Sequence, residues 1–152
     1  MTLELEEKQD LSVYYFIENV LSSYPYITIT DSFPSGELSL PTVAVTPKDI
    51  EAFQFQLGSK QRVKDRTWYV DVFANNTAQA RKIGYKVLSA LEDDVLVKDY
   101  DEGLPPDVTN QTVLGLLEVE NLRLEIIKVM PDLVDKLYYR AVVYFTARYN
   151  QA

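Results

Sequence analysis

Hydrophobic positions recur at two different periods along the chain, and the changes between them mark its elements. Val13, Ile17, Val20, Leu21 and Tyr24 repeat at three- and four-residue spacing, which predicts an amphipathic helix over 11–23. Asp10 is placed to cap it, and Tyr24-Pro25 ends it, because the residue before proline is pushed out of the helical region. Tyr26 to Thr30 then alternates as a strand does, 31–36 reads as a turn, and Pro41 to Val45 begins a short β-branched strand. Residues 50–74 predict a protruding hairpin with Gly58-Ser59-Lys60-Gln61 at its turn and Trp68, Val70 and Val72 toward the core. A second helix is predicted over 77–91, with Ala80, Gly84, Val87, Leu88 and Leu91 on one stripe and Asn76 with Gln79 as a capping box.

The last part of the chain reads as β. Val95 to Val97 is a short strand, and 99–110, with Gly103, Pro105 and Pro106, is a long loop. Leu117 and Val119 alternate on odd numbers, but Leu122, Leu124 and Ile126 on even ones, so a bulge or turn is expected at Glu120-Asn121. Residues 137–149 alternate without a break and are apolar or aromatic on much of both faces, which predicts a central strand or one crossing a subunit contact. Strands cluster and do not alternate with helices. The fold class is therefore α+β, a mostly antiparallel sheet with two helices packed on one face. The whole of 1–152 is read as a single domain, with 1–9 as a flexible N-terminal arm.

Composition narrows the chemistry. The chain has 152 residues, 47% of them apolar, enough for a core. It has neither His nor Cys, which removes disulfides, thiolate nucleophiles, His-based triads and His/Cys zinc sites. Gly-x-Ser-x-Gly, Ser-x-x-Lys and a phosphate-binding glycine loop are all missing, so no enzyme and no cofactor are expected. A net charge of −8 argues against a general nucleic-acid binder. The acidic start is unlike a signal peptide, and no apolar run is long enough to span a membrane.

Two charged segments stand out. Lys60, Arg62, Lys64 and Arg66 fall on one side of an extended strand and form a candidate docking patch for an acidic surface, a neighbouring copy included. Asp99, Asp101, Glu102 and Asp107, close to Glu92, Asp93 and Asp94, form an acidic loop. An EF-hand starting at Asp99 fails, with Leu104 at its sixth position and Asn110 at its twelfth. The loop is a solvated surface, an oxygen-ligand metal site, or an electronegative face turned toward a partner or passing DNA. Eleven tyrosines fit either strand propensity or an interface.

The order of elements resembles the tail terminator (tail completion) proteins of tailed bacteriophages. The residues that carry the resemblance are Leu40-Pro41-Thr42-Val43-Ala44-Val45, Phe55-Gln56-Leu57-Gly58-Ser59, Arg66 to Ala74 running into a helix, and the closing Tyr139 to Phe145. The resemblance implies a non-enzymatic virion protein, made in the bacterial cytoplasm. It would form a ring, commonly a hexamer, at the head-proximal end of the tail, ending tube growth and joining tail to head. Its partners would be copies of itself, the tail-tube protein and a connector or neck protein, with DNA passing through unread. A closed ring needs one patch to meet a different patch on the next copy, and the basic hairpin and acidic loop are the candidates for that pairing. A neck or head-completion protein, a metal enzyme on the Asp99–Asp107 loop and a small monomeric adaptor are the alternatives.

Overall fold

The computed structural model describes residues 2–31, 40–54, 62–127 and 139–151. Its elements are helix α1 (Leu5–Val20), strands β1 (Thr28–Thr30), β2 (Thr42–Gln54) and β3 (Arg62–Ala74), helix α2 (Thr77–Ala90), and strands β4 (Val95–Lys98), β5 (Val113–Ile127) and β6 (Tyr139–Gln151), with a short 3₁₀ turn at Tyr100–Glu102. The six strands form one sheet in the order β1-β2-β3-β6-β5-β4. Every pairing is antiparallel except β1 with β2. The fold is α+β as the alternation and clustering predict, and β6 lies inside the sheet between β3 and β5.

One face of the sheet carries both helices. Val43, Val45, Trp68, Val70, Val72, Leu117, Ala141, Val143, Phe145 and Ala147 project from the four long strands into a core shared with Val13, Ile17 and Leu21 of the α1 segment and Ala80, Ile83 and Val87 of α2. Trp68 stacks on Phe145, with ring centroids 5.3 Å apart. A Cβ at Gly84 would lie 3.2 Å from Leu124 Cδ1 and 3.5 Å from Ala141 Cβ, so the glycine lets α2 come close to β5 and β6. The phase slip at Glu120-Asn121 is a bulge: Val119 faces Ala147 and Asn121 faces Thr146, leaving Glu120 between them. A bulge turns Leu122 and Leu124 back to the face that Leu117 and Val119 occupy.

Three boundaries differ from those the sequence predicts. The segments at 41–45 and 50–54 are one strand, β2, which passes through a register shift between Pro47 and Asp49. Pro47 lacks an amide donor, and the bulge accommodates that gap. The α2 cap is as expected, with Asn76 accepting from Gln79 N at 2.8 Å, but Gln79 Oε1 returns to Asn75 N at 2.9 Å and not to the cap residue itself. The largest difference is in α1, which begins at Leu5. Residues 5–9, expected in a flexible arm, are its first turns, and Asp10 is an interior helical residue and no cap. The stripe continues backward through Gln9 and Ser12, both buried. Their polar side chains make that part of the stripe invisible to a hydrophobic pattern. Glu6 and Glu7 lie in the first turn, where carboxylates complement the helix dipole.

Candidate assembly surfaces

The N-terminal half of α1 lies between the two charged segments and neutralises part of each. On one side, Lys64 Nζ reaches Glu6 Oε1 at 2.8 Å. Arg66 donates from Nη1 to the Glu6 carbonyl oxygen at 2.9 Å and to Gln9 Oε1 at 3.1 Å, and its Nη2 lies 2.9 Å from Asp10 Oδ1. The Arg66 guanidinium sits 4.7 Å from the centre of the Trp68 ring, and Trp68 Nε1 donates to the same Asp10 oxygen at 3.0 Å. On the other side, Lys8 Nζ bridges Asp99 at 3.1 Å and Asp101 at 2.8 Å. Asp101 also accepts from Leu3 N at 2.7 Å. Further along α1 the Ser12 hydroxyl donates to Lys8 O at 2.7 Å and accepts from Lys98 N of β4 at 3.1 Å.

Titration follows these contacts. The hydrogen bond from Lys64 holds the Glu6 carboxyl below its ordinary range. Lys8, first, and then the Leu3 amide do the same for Asp101, and the two aspartates raise Lys8 in return, Asp101 more than Asp99. Asp10 moves the other way. Burial raises its carboxyl more than the Arg66 charge and the Trp68 indole lower it.

The four basic residues therefore do not act as one exposed patch. Lys60 and the Arg62 side chain lie outside the described residues. Lys64 is half exposed and paired. Arg66 is only 4% exposed, so its expected role as a surface docking residue is corrected: it is an internal cation that anchors α1. The reason is the face it shares with Trp68 and Ala147, which turns it under the helix. The acidic residues also divide. Asp99 and Asp101 are turned onto Lys8, and Glu102 clasps Thr112, accepting from its amide at 2.6 Å and its hydroxyl at 2.8 Å. Asp107 is exposed. Among the described residues no group of three carboxylates converges as a metal site would require.

Among the described residues, two of the open surfaces bear on binding a partner. The first is the β2–β3 arm. Pairing of β3 with β6 stops at Asp65 opposite Arg148, whereas pairing with β2 continues through Ala52–Lys64, Phe53–Val63 and Gln54–Arg62. Among the described residues the outer edge of β2 is paired only at Thr42 to Ala44, with β1. The end of the arm is therefore a two-stranded ladder, a form that is marginally stable by itself in water. Ile50, near its base, is 50% exposed.

The second lies at the far edge of the sheet. A cleft of about 510 Å³ runs between α1 and β4 with the loop after it. Tyr15, Phe16, Leu96 and Tyr100 supply its apolar lining, and Glu18 and Asp94 its acidic groups. Leu96 is 50% exposed, and Tyr15 and Tyr100 are in ring contact at 5.4 Å. Asp94 follows Glu92 and Asp93, and all three are exposed. These acids precede the stretch that carries the internal ion pairs. Sequence inspection groups them with that stretch because both are acidic, and only contact with Lys8 separates them.

The sheet face away from the helices is mixed. Ala44, Asp71, Phe73 and Val142 are buried there. Arg140 bonds the Asp71 carboxylate through Nε at 3.0 Å and also through Nη2, while its guanidinium lies 5.4 Å from the Phe73 ring. Beside them Tyr69 and Tyr144 meet edge to face at 4.6 Å, flanked by Lys48 at 5.0 Å and Arg123 at 5.4 Å. No described helix is long and apolar enough to cross a membrane.

No known family matches the sequence, and no curated protein does. Among solved structures, one chain from the virion of a native gene transfer agent particle aligns over 95% of this chain and 90% of its own, at 14% identity and a TM-score of 0.46. That likeness lies below the level that establishes a shared fold.

Proposed function

We propose that this protein is a structural subunit of a phage virion, of the tail terminator type: a ring at the head-proximal end of the tail that ends tube growth and joins tail to head. It works by binding and catalyses no reaction. The observation that carries the reading is the β2–β3 arm, which continues as a two-stranded ladder past its last pairing with β6. A projecting ladder of this kind gains stability by seating on another surface. The order of elements, with one helix before the hairpin, one after it and a closing β5–β6 pair, is the order on which the resemblance to tail terminators rests. The arm and the cleft are two different patches of one chain, and head-to-tail contacts in a ring join two different patches.

The partners of this reading are other copies, tail-tube protein and a connector or neck protein. DNA would pass without being read. Negative-stain electron microscopy over a concentration series, with and without purified tail tubes, tests it. Uniform rings with a central hole, free or capping tube ends, are the expected result. Single small particles under both conditions would overturn the proposal.

A further inference from the structure

Resting on the self-assembly proposed above, we infer that the acidic cleft between α1 and β4 is the seat of the basic β2–β3 arm of a second copy. Three features place these two surfaces together. The first is charge. From Ile50 to Arg62 the arm carries Lys60 and Arg62 against a single acid, Glu51, while Lys64 beside them is paired with Glu6 of its own chain. The cleft offers Glu18 and Asp94, with Glu92 and Asp93 exposed beside it and Lys98 as the one cation in its lining. Of the acids that follow, Asp99 and Asp101 are bonded to Lys8 and Glu102 to Thr112, while Asp107 is exposed.

The second feature is apolar fit. Aromatic anchors in a partly enclosed groove are the usual centre of a protein contact. Tyr15, Phe16, Tyr100 and the exposed Leu96 supply such a floor. The arm brings Ile50 at its base.

The third is geometry. The arm belongs to the β2 side of the sheet and the cleft to the β4 edge, with β6 and β5 between them. A contact between two different patches on opposite edges repeats from copy to copy and closes into a ring when its rotation allows. Opposite charge would set register and speed of assembly, and the aromatic floor would hold the contact.

Reciprocal charge reversal tests the pairing. One variant carries Glu18→Lys with Asp94→Lys, and the other Lys60→Glu with Arg62→Glu. Wild type, each variant and an equal mixture are followed by analytical ultracentrifugation over a concentration series, with thermal melting as the check on folding. Wild type should associate, and each variant alone should lose association by at least about tenfold in dissociation constant. The mixture should regain it, because each reversed cleft then meets a reversed arm. Association of either variant at wild-type strength would overturn this pairing and leave the ring reading intact. So would two monomeric variants that fail to rescue each other. A wild type that stays monomeric at every concentration and on tail tubes would overturn the ring reading, and this inference with it. If a reversed variant melts early, the neutral pair Glu18→Gln with Asp94→Asn replaces it, and the expected result is weakened association with a shallower salt dependence.

Discussion

Arg66→Glu separates an internal anchor from a docking cation. The side chain is 4% exposed, bonds the Glu6 carbonyl and Gln9, and pairs with Asp10 at 2.9 Å beneath α1. Reversal leaves two carboxylates where one was compensated. Breaking a buried ion pair by removing one partner costs about 3–5 kcal/mol. The Asp10 side chain keeps 33% exposure, so water relieves part of that, and about 3 kcal/mol is expected. In a chain of this length each kcal/mol lowers the melting point by about 2–4 °C, giving a fall of about 6–12 °C. Urea unfolding followed by the fluorescence of Trp68 suits the question, because it is the single tryptophan and lies against the Arg66 guanidinium. Lys64→Glu is the control. Its pair with Glu6 is solvent-exposed on the lysine side, and its loss should cost about 1 kcal/mol or less. An Arg66→Glu protein within 1 kcal/mol of wild type, on the order of a surface-pair effect, would refute the anchoring role. So would a Lys64→Glu protein destabilised as much as Arg66→Glu.

Acidification should loosen the start of α1 before its end. Glu6 and Asp101 are held below the ordinary carboxylate range, so they stabilise the fold above their unfolded values and lose that contribution as pH falls through the folded ones. Asp10 has the opposite sign: its raised carboxyl opposes folding when ionised, and protonation relieves it. Amide exchange at pH 7 and at about pH 3, below the usual carboxylate range, should show protection lost over 5–9 and kept over 13–20; equal loss along the helix would contradict this. Gly115→Ala should destabilise by about 1–3 kcal/mol, since its Cβ would fall against the Asn150 carbonyl oxygen and 2.8 Å from the Tyr149 ring; unchanged denaturant unfolding would show that β6 gives way freely. Gly84→Ala should stay within about 1 kcal/mol of wild type, because helix propensity offsets the contact with the flexible Leu124 side chain, while Gly84→Leu should cost more by the same assay.

Periodicity alone was enough to find both helices and the two arms of the hairpin, whose expected turn at 58–61 lies outside the described residues, and it narrowed Glu120-Asn121 to a bulge or a turn and β6 to a central strand or one crossing a subunit contact. Each of these leaves a local trace, in the spacing of apolar side chains, a shift of phase, or two apolar faces on one strand. The exclusion of His and Cys chemistry is likewise a property of composition and needs no coordinates. What the sequence could not carry was the partnership of charges. Lys64 and Arg66 are more than fifty residues from Glu6 and Asp10, and Lys8 is more than ninety from Asp101, so no spacing rule links them. Charge attracts at any sequence separation, and only the fold decides which opposite charge arrives. The structure placed α1 between the basic strand and the acidic loop, made Arg66 internal, and left the cleft beside Glu18 and Asp94 facing outward.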